Sequence, residues 1–541
     1  MRAAHANPGR RGPRALLLAW LCTLCLATAA SGQATYDNPV VAGDFPDPTV
    51  IRTGRDYWAA TTSGGWAPLF QILHSRDLVN WRVVGSVFKE SPGWPTWARG
   101  DFWAPELSEH RGRFYVYYTA RRAEPNRRGT LCVAVATAPR ATGPYTDHGP
   151  LVCQEAGSID AYATTDERGR RYLLWKEDGN DRNRPTPIWA QPLSEDGLKL
   201  EGEPKELFRN DAAWERHVVE GAYVVRRGDW FYMFYSGNAC CGRGCNYALG
   251  VARSRKLLGP WEKFPKNPIL AANDAWQCPG HGTAVETPDG RLFMLYHAYS
   301  RRAGGFNVGR EMLLDEVKWT AEGWPEFNGG RGPSVGGASP LGVQESPDEA
   351  EFVDNFDAAE LDPSWQYPLT ARGAGTIKPD GGGHLALKPL KPAAGAARDE
   401  WTQTVVARRP FSGDYVATAR VRLRGLGARG RAGLAAYSWR DRALGVAAGG
   451  GRVHVWRREG GRLETLASAA VGRDESILLR MTAAGGESYR FSFSADGRVW
   501  KELGGAVAGG HVEGARVALT AGGTLGAAAR FDWFRIAPNR K

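Results

Sequence analysis

The 541-residue sequence predicts an all-β protein, a five-bladed β-propeller followed by a β-sandwich. Two observations predict the propeller and a third the sandwich. A glycine followed by polar and then aromatic and aliphatic residues recurs at Gly54, Gly112, Gly169, Gly228 and Gly290, at intervals of 58, 57, 59 and 62 residues. Each copy reads as a tight turn entering a strand, as in Pro288-Asp289-Gly290 before Leu292-Phe-Met-Leu-Tyr296. Gly143-Pro144-Tyr145 and Gly259-Pro260-Trp261 stand 116 residues apart, two periods of 58. Five copies of one β unit suit radial repetition, which leaves only short protected sheet edges. An ordinary sandwich with chance similarity among its hairpins is the competing reading. Beyond Phe352, alternating strands such as Tyr415-Val-Ala-Thr-Ala-Arg-Val-Arg-Leu423 are separated by Gly-rich turns, the pattern of a sandwich.

The segments follow in order. Arg2, Arg10, Arg11 and Arg14 precede an apolar stretch from Ala15 to Ala30, too short to span a bilayer comfortably, so residues 1–32 read as a secretory signal peptide. The expected mature protein is secreted or periplasmic, with no membrane span. Residues 33–328 carry the five repeats and form the expected catalytic propeller. Residues 329–350, rich in Gly, Pro and Ser and then acidic, read as a linker, and residues 351–541 as a jelly-roll-like accessory sandwich.

Composition narrows the function. Lys and Arg number 69 against 58 Asp and Glu, a net charge of +11, but no zinc-finger spacing, no RNP-like segment and no run of five basic residues accompanies it. A nucleic-acid partner is therefore not expected. The aromatic count, Trp 21, Tyr 18 and Phe 19, suits both β-rich cores and carbohydrate-contacting surfaces. Two of the eight cysteines, Cys22 and Cys25, fall in the export signal. The other six, Cys132, Cys153, Cys240, Cys241, Cys245 and Cys278, are an even number in an exported chain and favour disulfides, with the pairing left open. A four-thiolate metal site at Cys240, Cys241, Cys245 and Cys278 is the alternative, without the paired C-x-x-C spacing of structural zinc.

The repeat aligns the polar residues that precede each turn glycine: Asp47, Glu106, Asp160, Glu220 and, in the fifth unit, His281. Equivalent positions in successive blades surround one axis, so these side chains are expected to converge on the mouth of the central channel. Like charges held together push at least one pKa upward, which is how a general acid and a general base are made from one residue type.

At these residues the sequence resembles the inverting glycosidases of glycoside hydrolase family 43. The matching segments are Asn38-Pro39 with Gly43-Asp-Phe-Pro-Asp47-Pro48, His74-Ser-Arg-Asp-Leu-Val-Asn-Trp81, Trp103-Ala-Pro-Glu106, Ile159-Asp160-Ala161, Val219-Glu220-Gly221-Ala222 and Gly280-His281-Gly282, across about residues 36 to 325. The resemblance implies a propeller that hydrolyses arabinose- or xylose-containing glycans. It implies Asp47 as general base, Glu220 as general acid, and Asp160, ionised, as the carboxylate that orients the acid and tunes its pKa. One departure is Ala161, where the family usually has Pro. The resemblance further implies His281 near the channel centre beside a cation or water cluster, and Arg310 reaching a sugar hydroxyl. Phe45 and Trp103 are expected as walls for a sugar ring, with Trp66 at the rim. No cofactor is required; a structural calcium or other cation near the axis is allowed for, with His281 its candidate ligand. Asp354-Asn-Phe-Asp357 and Phe531-Asp-Trp-Phe-Arg-Ile536 resemble the concanavalin-like sandwich of many family members.

The expected activity is exo-acting α-L-arabinofuranosidase, on oligo- or polysaccharides of plant cell-wall or arabinogalactan type. β-Xylosidase, then endo-arabinanase and exo-galactanase, are the alternatives on the same scaffold. A non-catalytic glycan-binding propeller and a retaining sialidase- or invertase-type propeller are the readings from outside it.

Overall fold

The computed structural model describes residues 34–89, 93–125, 128–301, 304–343, 351–369, 377–389, 401–438, 442–472, 474–523 and 528–539. The expected signal peptide, residues 1–32, lies outside the described residues. No helix among the described residues is long and apolar enough to cross a membrane.

Five four-stranded antiparallel sheets succeed one another along the chain and form the five blades. Their innermost strands are Thr49–Thr53, Ala98–His110, Ser158–Thr165, Val219–Arg227 and Trp276–Glu286. Each packs against the innermost strand of the next blade, and the fifth packs against the first, so the ring is closed. The repeated glycines sit at the hairpin between the first and second strands of each blade. All five have φ between 58° and 81°, a left-handed turn conformation that glycine enters without steric cost. The aromatic and aliphatic residues after them form second strands that are almost wholly buried, as in Leu292–Ser300. Interleaved aromatic clusters, such as Tyr232, Phe234, Tyr296 and Phe327, fill the gap between neighbouring blades.

Closure is reinforced from the chain's start. Thr35–Asp37 pairs antiparallel with Gly336–Ala338, and the Asn38 side chain both donates to the Leu314 carbonyl at 2.9 Å and accepts from its N–H at 2.9 Å. The early part of the segment read as a linker from 329 is therefore tied to the propeller. Its remainder, 344–350, lies outside the described residues.

The sandwich consists of a six-stranded sheet, Thr404–Arg408 through Arg462–Ala470, facing a larger sheet built around Tyr415–Arg422, Ser476–Ala484 and Ala529–Pro538. One continuous apolar core, including Trp365, Val406, Leu434, Met481, Phe531 and Phe534, lies between them. The sandwich rests on the propeller. Trp66–Ala67 of the first blade pairs with Tyr367–Pro368. Trp66, expected at the pocket rim, is 1% exposed and packs with Tyr437 and Trp456 of the six-stranded sheet and with Trp401 just before it. Its indole is the propeller's apolar contact with the accessory domain, so no sugar can reach it.

Beneath the mouth, the axis holds Glu106, buried, with the Thr49 hydroxyl donating to its carboxyl at 3.0 Å. Burial raises its pKa to about 8, partly countered by that hydrogen bond. Because the folded-state pKa lies above the unfolded one, the folded form holds a proton that the unfolded chain releases, and stability falls as pH rises from about 4.5 to about 8. Glu106→Gln keeps the acceptor and removes the titration. We expect it to match the parent in urea unfolding at pH 4 and to exceed it at pH 8 by about 4 kcal/mol; equal midpoints at both pH values would contradict the buried, protonated acid.

Candidate active site

The five positions aligned by the repeat do meet at one end of the axis. Asp47, Glu106, Asp160, Gly221 beside Glu220, and His281 line a single cavity with contributions from all five blades. The backbone there departs from regular strand. Pairing registers slip between Ile159 and Tyr162, between Glu220 and Tyr223, and on both sides of Gly280, each a β-bulge that re-aims side chains. Asp47, Asp160 and His281 have φ of 54°, 57° and 45°, a conformation uncommon for residues with a Cβ and concentrated at functional sites. Glycines make the required room. A Cβ on Gly280 would lie 2.4 Å from the Tyr247 ring, and Gly221, at φ 59°, faces the His281 ring.

Asp47 sits among donors. Its Oδ1 lies 3.2 Å from Arg310 Nη1, 3.4 Å from His281 Nδ1 and 3.3 Å from His297 Nδ1, while Thr62 Oγ1 donates to Oδ2 at 2.6 Å. Burial pulls its pKa upward, but Arg310, then the two histidines and the Thr62 hydroxyl, outweigh it and hold the carboxyl well below the usual range. His297 is fully buried and its Nδ1 accepts the Asp47 N–H at 3.1 Å, so Nε2 carries the ring proton. Burial, and next Arg310, keep that imidazole neutral.

Glu220 is held differently. Lys176 Nζ donates to its Oε2 at 2.8 Å and Tyr247 OH to its Oε1 at 2.9 Å. Lys176 is itself 1% exposed and shared with Asp178 at 2.9 Å. Asp160 accepts the Gly221 N–H at 3.0 Å and lies 3.9 Å from His281 Nδ1. Its pKa rises to about 7, chiefly through burial; His281 opposes this, Glu220 adds to it, and Lys176 opposes it. This differs from the expectation that Asp160 is the ionised partner. Lys176 bonds to Glu220 and Asp178, so Asp160 lacks a direct cationic hydrogen-bond donor and retains its proton to near neutrality.

The remaining expectations are met unevenly. Arg310 uses Nη1 on Asp47, with its side chain 17% exposed. Phe45 is 5% exposed, covered by the Arg409 guanidinium at 4.0 Å from its ring, and so presents no open stacking wall. Trp103 is half-buried at the mouth end of the second blade. His281 Nδ1 lies 3.4 Å from Asp47 and 3.9 Å from Asp160, and among the described residues no group of three His, Cys, Asp or Glu is placed to hold a metal ion. A calcium cage needs six to eight oxygens; here Arg310 and Thr62 take the Asp47 oxygens and Lys176 and Tyr247 those of Glu220, which leaves the Asp160 carboxyl and the His281 ring lining the cavity. Sequence reasoning missed Thr62, Lys176, Tyr247 and His297. Lys176 and His297 left a signal, each a polar residue in a buried apolar strand; Thr62 and Tyr247 left none.

The cysteines pair as Cys132–Cys153, Cys240–Cys241 and Cys245–Cys278, which disposes of the four-thiolate alternative. The last ties the loop after Gly237 to the fifth blade, where Gly242 N–H also donates to Tyr299 OH at 3.2 Å.

Comparison with known proteins agrees with this geometry. The sequence model described as "Glycosyl hydrolases family 43" matches residues 36–325, and that described as "Beta xylosidase C-terminal Concanavalin A-like domain" matches residues 353–537. The chain is 32% identical over 314 residues to "Xylosidase/arabinosidase 43B" of Humicola insolens, covering 55% of this chain and 56% of that protein. It is 29% identical over 401 residues to "Beta-xylosidase" of Bacillus subtilis, covering 69% and 71%. The crystal structure of the GH43 BlXynB protein from Bacillus licheniformis superposes with a TM-score of 0.80 at 27% identity, over 93% of this chain and 100% of that one. With the family matched across the whole propeller and the sandwich matched behind it, the chain belongs to glycosyl hydrolases family 43 and is a glycoside hydrolase.

Proposed function

We propose that the protein is an exported, exo-acting, inverting glycosidase that removes terminal pentosyl units, with Asp47 as general base, Glu220 as general acid and Asp160 as the positioning carboxyl. The observation that carries this reading is the contrast between acids at one mouth: Asp47 is held ionised by Arg310 and the Thr62 hydroxyl, while Asp160, beside Glu220, keeps a proton to about pH 7. An ionised base and a proton-holding pair are what single displacement by water requires. Asp47 takes a proton from the attacking water as its oxygen bonds to the anomeric carbon. The glycosidic bond breaks as the departing oxygen takes a proton from the Glu220 carboxyl, and the carboxylate that is left accepts from Lys176 and Tyr247. Lys176 and Tyr247 fix the direction of the Glu220 carboxyl. The family needs no cofactor for this chemistry. The disulfides support export, and the loop clamped by Cys245–Cys278 supports a closed pocket and exo action.

For the sugar, β-D-xylosyl comes first. The Bacillus subtilis relative is named a β-xylosidase, and the module matched by the sandwich carries the same name. This reverses the order expected from sequence. α-L-Arabinofuranosyl remains the second reading, favoured by the Humicola insolens relative, whose name joins both activities.

Three outcomes are expected. Nitrophenyl β-D-xyloside is cleaved faster than the α-L-arabinofuranoside, and the β-D-galactoside not at all; the reverse ranking would restore the arabinofuranosidase reading. Glu220→Gln and Asp47→Asn each lower kcat by about 10³-fold or more while retaining a parental unfolding transition, and proton NMR of fresh xylose from the parent shows the α anomer. Retained activity in both variants, or β-xylose, would sink the mechanism. The alkaline limb of kcat/KM falls near pH 7, where Asp160 loses its proton. Because the Lys176 charge lowers that pKa, Lys176→Met moves the limb upward by about one unit; a downward shift would exclude Lys176 as its electrostatic partner.

A further inference from the structure

Arg409 belongs to the sandwich, yet it is buried against the propeller, 7% exposed, and no carboxylate bonds to it among the contacts the structure gives. Its Nε donates to the main-chain carbonyl of Asp44 at 2.6 Å, its Nη1 donates to Gln71 Oε1, and its guanidinium covers the Phe45 ring at 4.0 Å. A cation taken out of water is costly unless its donors are well used. Here one donor goes to Gln71, while Nε and the guanidinium face are used on one short segment, residues 43–47, which ends at Asp47.

That segment is the hinge between the first and fifth blades. Phe45 N–H donates to the Arg310 carbonyl at 2.8 Å, and Arg310 N–H donates to Asp44 Oδ1 at 3.2 Å. These two bonds lock the backbone of Arg310 to Asp44 and Phe45, and the Arg310 side chain then reaches Asp47 at 3.2 Å. A second sandwich arginine, Arg516, lies 3.8 Å from Asp44 Oδ2. The backbones are also in close contact: a Cβ on Gly43 would lie 2.9 Å from the Pro410 carbonyl oxygen. The segment is therefore gripped on one side by the propeller and on the other by the sandwich.

We propose that Arg409 of the sandwich is a positioning residue for the reaction, its guanidinium fork holding the Asp44–Phe45 segment so that Asp47 and Arg310 keep their register. The sandwich then completes the active site without entering it. This rests on the reading of Asp47 as general base. Groups facing Asp47 are Arg310, His281, His297 and Thr62, with Asp160 across His281. Slackening the segment moves Asp47 away from Arg310 in particular.

The test uses the full chain with Arg409→Lys, Arg409→Met and Asp47→Asn, each checked for a parental unfolding transition. Arg409→Lys keeps the charge and loses the planar fork. We expect it to lower kcat about tenfold or more with KM changed less than about threefold, since misplacement of a reacting group falls on the chemical step. The acidic limb of kcat/KM, which reports Asp47, should move upward by about one unit as the Arg310 contact loosens. Arg409→Met should do at least as much. Parental kcat and limb in either variant would overturn the proposal. Should both variants fail to fold, Gln71→Met, which removes the propeller-side acceptor and leaves Arg409 in place, should shift the limb in the same direction with a loss of about threefold in kcat; no change there would overturn it equally. An active Asp47→Asn would instead sink the base assignment, and this inference with it.

Discussion

The Arg310–Asp47 ion pair is the contact on which the mouth of this propeller depends. It joins the connection before the third strand of the fifth blade to the residues that precede the first strand of the first, at the seam where the ring closes. It also decides how three acids can share one cavity. Each charge removed from water costs several kcal/mol unless a partner offsets it, and cations are scarce here. Arg310 goes to Asp47, with two histidines beside it. Lys176 goes to Glu220 and Asp178. Asp160 is left with a backbone N–H and a histidine at 3.9 Å, and it is the acid whose proton is retained. The contrast between Asp47 and Asp160 follows from where the cations sit, not from the type of acid.

The same seam explains the backbone. Asp47, Asp160 and His281 all hold positive φ, at a cost of order 1–3 kcal/mol each. Such conformations persist only where surrounding structure over-determines them. Hydrogen bonds from Gly221 to Asp160, from Asp47 to His297 and from His281 N–H to Ser236 supply that determination, each crossing from one blade to another or across one hairpin. A regular sheet could not turn side chains from separate blades toward one point; the bulges do.

The sandwich belongs to this arrangement physically. Trp66 buries its indole in the sandwich, with Arg516 over its ring at 4.2 Å, and Arg409 covers Phe45 from the other direction. Two aromatic residues suggested by sequence as sugar contacts are thereby used at the interface. Both belong to the first blade, which also supplies Asp47.

The sequence alone determined the blade count, because the turn glycines need left-handed φ at one point in every repeat and so mark a fixed period. It also brought Asp47, Asp160, Glu220 and His281 into one list, since equivalent repeat positions must surround a single axis. Tertiary structure decided what the repeat is blind to. Lys176 and His297 both stand seven residues after the turn glycine of their repeats and Thr62 eight after its own, but the residue type there changes from blade to blade, so the period does not say which acid each one meets; Tyr247 lies outside that pattern. The proton on Asp160, the cover over Phe45 and the burial of Trp66 depend on which side chains arrive from other blades or from the sandwich, more than 300 residues away in the case of Arg409 and Gln71. Local periodicity specifies where a residue lies on its blade; charge state and exposure are set by neighbours that only the closed ring and the docked sandwich bring near.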